Sequence, residues 1–478
     1  MKPVRHFSVH SDYKHLVAIN ILIILLELCL FVYLRAWFSI IPWMICLVAG
    51  HFIGLSIERK KLITRGGYDI LITSYLLISL MGLLICLDNQ NNFGTFLGCG
   101  GDDTRFFGKI LMLIKGTPEE ETGFYEYVLA TFGWGMNLLK LGDLQLTDLL
   151  PLNWLLAAFC AMVCYQLAFE LMCKRCPFFI ILTSLLFNFT FTDSITRLYR
   201  DVLMLFFSLL FLLFLINDKR IKMLVSLVPL MLIRMANGFL LLLFVGLLIL
   251  KKRVKRVMVF YALTGVLGGF FVAVINYSNI NLLNYTSSYV NFARYNRVFK
   301  NYSTKEMLEL RNKSIAGSVP ESSLKNVAYI EGGIKGKIVK IIYALFYPLT
   351  FNSPSTELQV SATISNSGYV KGFYLYLILQ WLFILSWIAV LPYLFLGLYK
   401  AMFGSNLQVT IFVFYIIVTL LVSLISGQQR HGCILVVLNP ILANIGFHYS
   451  RSNRQMIFNH KLLTVAVIIG ITGWNLAK

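Results

Sequence analysis

Two adjacent carboxylates, Asp102 and Asp103, end a glycine-rich run, Gly98-Cys99-Gly100-Gly101, and are followed by Thr104, Arg105, Phe106 and Phe107. The glycines permit a tight, irregular backbone, and a carboxylate delivered by such a turn can take a proton from a hydroxyl or bind a metal. Acidic residues are scarce here, 22 of 478, so two in succession carry information. Adjacent residues rarely address one target, so one functional carboxylate is expected. The competing reading makes an aspartate the N-cap of a helix beginning at Thr104. Cationic groups recur at separated places: Arg105; Arg197 and Arg200, with Asp201, in the run Thr192 to Asp201; Arg234 between apolar residues; and Arg430 with His431 in the run Ser426 to Gly432. A guanidinium offers paired donors that match phosphate oxygens. The alternatives are structural: Asp201 complementing a helix start, Arg200 anchoring a helix end, and Arg430 or His431 snorkelling to an interface.

The elements that must position these groups are apolar. Of the 478 residues 58% are hydrophobic and 13% charged, the charged share being about half that of an ordinary soluble domain. A bilayer-crossing helix takes about 20 mostly apolar residues, and the chain offers about thirteen such segments, near 16–34, 38–56, 69–87, 152–172, 177–192, 201–216, 222–233, 237–250, 257–276, 373–399, 407–426, 432–449 and 461–476. Soluble enzyme, disordered chain and disulfide scaffold are excluded. The expected fold is all-α, a single polytopic transmembrane domain over 1–478. The first segment is too long to be a cleaved leader and stays as a span. The seventh and eighth are short, with Arg234 and Asn237 between them, and need not cross a full bilayer where they sit against neighbours or line a cavity.

A net charge of +20 suggests nucleic acid at first sight, but polytopic proteins collect Lys and Arg on cytoplasmic loops. With the N-terminus cytoplasmic, half of the basic residues, 21 of 42, fall on short inner loops, among them Arg59, Lys60, Lys61, Arg65, Lys174, Arg175 and Lys251 to Arg256. No nucleic-acid partner is then required. The same orientation gathers Asp102, Asp103 and these arginines on the outer face. There, the loop 88–151 carries two apolar stripes at helical spacing, one from Phe106 to Ile114 and one from Phe124 to Leu138 with Glu121 and Glu126 near its start, which read as interfacial helices. A second outer loop, 278–371, mixes tyrosines with Asn, Ser and Thr in a composition that suits carbohydrate or plain solvation.

Nine cysteines, mostly in apolar runs, imply no disulfide framework. The spacing of Cys173 and Cys176 lacks the second half of a zinc site. Neither an internal repeat nor a P-loop occurs. Glu27, His51 and Glu170 stand out inside apolar runs; a proton-coupled transporter carries several ionisable groups near midplane, whereas the polar chemistry here is shifted outward, and Glu27 and Glu170 keep a transporter reading open.

The order of these motifs resembles a family. Gly100-Gly101-Asp102-Asp103-Thr104-Arg105-Phe106-Phe107, then Glu121 to Leu129, then Arg200-Asp201 opening a span, then Arg430 before a late span, is similar to bacterial polysaccharide polymerases of the Wzy and EpsG kind. It also resembles the wider GT-C class of polytopic glycosyltransferases. The resemblance implies an enzyme of the bacterial inner membrane that polymerises polyprenyl-diphosphate-linked oligosaccharide units of O-antigen, capsule or exopolysaccharide at the periplasmic or extracellular face. It implies that Asp102 or Asp103 serves the acceptor hydroxyl or a divalent cation, and that Arg197, Arg200, Arg234 and Arg430 engage the pyrophosphate or glycan. No other cofactor is called for. The expected partners are the lipid-linked substrate, membrane lipid, and a flippase and chain-length regulator of the same pathway. The alternatives are a GT-C transferase moving one sugar from a polyprenyl phosphate, and a lipid-linked glycan flippase.

Overall fold

The computed structural model describes residues 12–96, 102–118, 122–139, 144–172, 174–188, 191–192, 198, 200–277, 375–421, 433–451, 455, 459–466 and 469. Every regular element among them is helical. Six helical stretches are long and apolar enough to cross a membrane: Leu16–Tyr33, Trp37–Arg59, Gly67–Asn91, Leu146–Met172, Met235–Arg253 and Trp381–Met402. Asp201–Ile216, Val257–Gly268, Asn406–Leu421 and Ile434–Ser450 are apolar but shorter. Helices are the form such sequences take, because each one satisfies its own backbone groups where no water is present to do so.

In chain order the elements are α1 (Asp12–Tyr33), α2 (Ile40–Arg59), α3 (Gly67–Phe93), α4 (Asp102–Ile114), α5 (Phe124–Leu139), α6 (Leu146–Met172), α7 (Phe178–Ile181, running into a π-helical turn to Leu186), α8 (Asp201–Ile216), α9 (Arg220–Ile233), α10 (Met235–Arg253), α11 (Val257–Tyr277), α12 (Leu375–Met402), α13 (Asn406–Leu421) and α14 (Cys433–Ser450). Each apolar segment read from the sequence contains helix, and α4 and α5 coincide with the two expected amphipathic stripes. The outer-loop reading of 278–371 lies outside the described residues.

The centre of the bundle is α6. Ala157, Ala158, Cys160, Ala161, Cys164 and Ala168 are fully buried along it, and α2, α3, α8 and α14 pack around it. A helix buried on all sides needs no polar face, and its small residues let neighbouring backbones approach closely. The closest approach lies between α12 and α14. A methyl group at Gly397 would overlap the carbonyl oxygen of Leu442, and one at Gly446 would overlap that of Tyr393. Backbone carbonyls cannot swing aside as side chains do. Gly397→Ala and Gly446→Ala are each expected to force these helices apart and to lower thermal stability in detergent by about 1–3 kcal/mol. Gly246→Ala, facing open space on α10, is the control that leaves the melting temperature unchanged.

The short pair α9 and α10 meets at one residue. Arg234 is extended, at φ −158° and ψ 98°, its N–H donating to Leu230 O (2.8 Å) and its carbonyl accepting from Asn237 N (3.1 Å). Gly238 lies directly against Met231 across the break, so the chain folds back here.

The basic loops come together at one end of the bundle. Tyr165 Oη donates to Arg65 O (3.1 Å), Thr64 N to Gln166 Oε1 (2.6 Å), His448 Nε2 to Arg175 O (2.9 Å), and Lys251 Nζ to Asn406 Oδ1 (3.1 Å). Lys400 lies over the Tyr449 ring, 4.7 Å from its centroid. These contacts join the α2–α3 turn, the C-terminal ends of α6, α10, α12 and α14, and the start of α13. Arg65, Arg175, Lys251 and Lys400, four of the positions that the charge pattern assigned to one side, thus share one end.

Candidate functional site

The opposite end is closed by α4 and α5. Phe106 of α4 meets Tyr125 of α5 edge-on, with ring centroids 5.7 Å apart. Asn153 Nδ2 of α6 donates to Tyr125 Oη (2.9 Å), which ties α5 to the core. The start of α6 is fixed by the carboxylate of Asp148 in its first turn: Oδ2 accepts from Gln145 N (2.6 Å), and Oδ1 accepts from Ser39 Oγ at the head of α2 (2.6 Å). Glu126, in the first turn of α5, is folded back over Gly123, with its Oε2 2.9 Å from where a β-carbon of Gly123 would stand. Asp148 and Glu126 therefore work as helix-end groups.

Charged groups are nevertheless buried at this end. Asp88, at the top of α3, is 3% exposed, and Lys109, on α4, is 4% exposed. A charge this deep is retained only where partners meet it, and both make interactions with neighbouring groups. Neither stood out in the sequence. The signal was present for Lys109, which occupies the apolar stripe between Phe106, Ile110 and Leu113, where a surface lysine does not belong.

The aspartate pair sits differently from the N-cap reading. The helix starts at Asp102, two residues before Thr104, so both aspartates occupy the first turn of α4, where the helix dipole favours a carboxylate. Their spacing distinguishes them. Asp102 stands seven residues before buried Lys109 and Asp103 seven before buried Ile110, which puts the first in register with a cation and the second with apolar packing. Arg105 is on the exposed flank of α4.

Asp201 and Arg234 are brought together. Arg234 Nη1 donates to Asp201 Oδ1 at 3.2 Å, the side chains being 15% and 6% exposed. The charge that the sequence left needing a cavity or partner has found a carboxylate. Asp201 is also in the first turn of α8, whose dipole it complements. Arg200 precedes it, half-buried and engaged with neighbours. Arg234 caps the start of α10, whose 19 residues span about 28 Å and end in the turn of Lys251 to Arg253 among the basic loops. The pair therefore lies at the α4–α5 end, and α5 packs on α9. Arg197, Arg430 and His431 lie outside the described residues.

Titratable positions within the spans are partnered locally. Ser79 Oγ donates to Glu27 Oε1, His51 Nδ1 shares a hydrogen bond with Tyr68 Oη (2.7 Å), and Gln166 Nε2 donates to Glu170 Oε1 (2.7 Å). Cys173 of the CxxC spacing is outside the described residues, and Cys176 is buried at the α6–α7 loop, where desolvation pushes its thiol far above the usual range. Among the described residues no cluster of three or more His, Cys, Asp and Glu side chains has the arrangement of a metal site. Compared with protein-family models, with curated proteins and with solved structures, the chain has no match.

Proposed function

We propose that the protein is a bacterial inner-membrane glycosyltransferase, with about thirteen spans and a cytoplasmic N-terminus, that polymerises polyprenyl-diphosphate-linked oligosaccharide units at the outer face. The observation that carries this reading is the concentration of buried carboxylates and cations at the α4–α5 end, opposite the basic loops. One aspartate of Asp102 and Asp103 takes the proton from the acceptor sugar hydroxyl. The oxygen attacks the anomeric carbon of the donor, the bond from that carbon to the diphosphate oxygen breaks, and the diphosphate leaves with the electron pair. Direct displacement inverts the anomeric centre. Arg105, Arg197, Arg200, Arg430 and His431 meet the developing negative charge. Arg234 contributes through its pair with Asp201, which holds the head of α8 and therefore Arg200 in place.

Deleting the gene in its host is expected to abolish long surface polysaccharide while single-unit, lipid-capped product persists. Loss of even the single unit, with substrate trapped in the inner leaflet, would instead identify a flippase. That second reading has one observation in its favour: Glu27 is fully buried within α1, with Oε2 lacking a hydrogen-bond partner, the situation of a carboxylate that exchanges a proton inside a membrane. Transfer of one sugar from a polyprenyl monophosphate, with no change of chain length, would mark a single-sugar GT-C enzyme.

A further inference from the structure

A second site lies at the other end of the bundle. A half-open cavity of about 190 Å³ is walled by Leu16 of α1, Asp69 and Thr73 of α3, Tyr165 of α6, and Arg65 and Arg175 from the two adjoining loops. Its arginines are held in place through their backbones. Arg65 O accepts from Tyr165 Oη (3.1 Å), and Arg175 O accepts from His448 Nε2 (2.9 Å). Gly66, at φ +95°, turns the chain beside Arg65, a conformation that suits glycine, and its N–H is taken by Glu58 Oε1 (3.1 Å). Both arginine side chains are exposed, and neither makes an ion pair among the described residues.

Two arginines on the wall of a cavity of this size suit a phosphate group, which their guanidiniums can hold through paired donors. The charges around it are mixed. Asp69 is on the wall, and Glu58 is engaged by the Gly66 N–H, so the anion is met by the arginine side and opposed by the Asp69 side. The remaining wall is apolar, with Leu16, Ile70 and Phe178. It continues onto the face of α1 that exposes Ile19, Leu22 and Leu26, the surface along which an acyl chain would lie. We infer that this cavity binds the phosphate of a glycerophospholipid headgroup from the leaflet next to the basic loops, with Arg65 and Arg175 as its ligands. The site is independent of the glycan-transfer reading.

The test uses the full-length protein in mild detergent and a fluorescent short-chain phosphatidylglycerol. Saturable binding is expected, weakened about tenfold by Arg65→Ala and by Arg175→Ala, each of which removes a charge-assisted hydrogen bond. Asp69→Asn is expected to tighten binding, because a repelling carboxylate is removed; a purely structural role would not give that sign. Leu16→Trp, which fills the cavity and leaves every charge in place, is expected to abolish binding and serves if an arginine variant does not fold. Displacement by unlabelled phosphatidylglycerol but not by millimolar inorganic phosphate supports a lipid source. Displacement by inorganic phosphate supports the same phosphate site filled from solution and overturns the lipid assignment. Unchanged affinity in both arginine variants, or in Leu16→Trp, overturns the site.

Discussion

Arg234→Ala is expected to destabilise the protein by about 3–5 kcal/mol, because it strands a buried charge. The Asp201 carboxylate is 6% exposed and would be left without its guanidinium at the junction of α8, α9 and α10. Asp201→Asn should cost less, since the amide keeps an acceptor for Arg234, whose side chain is 15% exposed and reaches water more readily. The double variant Asp201→Asn with Arg234→Gln is expected to recover most of the loss, as replacing both members of a buried pair with neutral polar groups removes the unmatched charge. Thermal unfolding of the wild type, Asp201→Asn, Arg234→Gln and the double variant in detergent gives the cycle, and a coupling near zero would refute the pairing. Exchanging the residues, Asp201→Arg with Arg234→Asp, separates stability from chemistry. Restored folding with activity still lost shows that the sign of the charge at one of these positions matters to the substrate; recovery of both reduces the pair to a clasp for α8.

That clasp was half legible in the sequence. Arg234 between apolar residues announced that a partner or cavity must exist, and Asp201 at a helix start announced a carboxylate facing the N-terminal dipole. Nothing in linear spacing joins positions 201 and 234, because their meeting depends on α9 folding back against α8. The same limit applies to Asp148, whose Ser39 partner lies 109 residues away. Features set within one helix were readable: the stripes of α4 and α5, the apolar spans, and the short pair broken at Arg234. The common end of Arg65, Arg175, Lys251 and Lys400 was readable as well, since the charge pattern assigned them to one side although they are distant in sequence. Gly397 and Gly446 were not. A glycine in an apolar helix looks the same from sequence whether it faces open space, as Gly246 does, or a neighbouring backbone.

Asp102→Asn is expected to lower glycan transfer by about 10²–10⁴-fold, the contribution of a positioned general base, and Asp103→Asn by much less. The two substitutions are equal in what they do to the helix. Each removes one carboxylate from the first turn of α4, and the dipole interaction lost is about 0.3–1 kcal/mol, so stability does not separate them. Register does. Asp102 is in line with Lys109, a buried cation. Asp103 is in line with Ile110, on a row that packs against apolar neighbours. Lys109→Met, which keeps the length of the side chain and removes its charge, should then impair the Asp102→Asn protein less than it impairs the wild type, since residues acting as a unit are not additive. The readouts are the length distribution of surface polysaccharide in the host and the rate of transfer by purified protein with lipid-linked substrate. Unchanged chain lengths in both aspartate variants would remove the base from α4 altogether. A larger loss in Asp103→Asn would leave the base on α4 and show that the row through Ile110, despite its apolar packing, is the one that meets the acceptor.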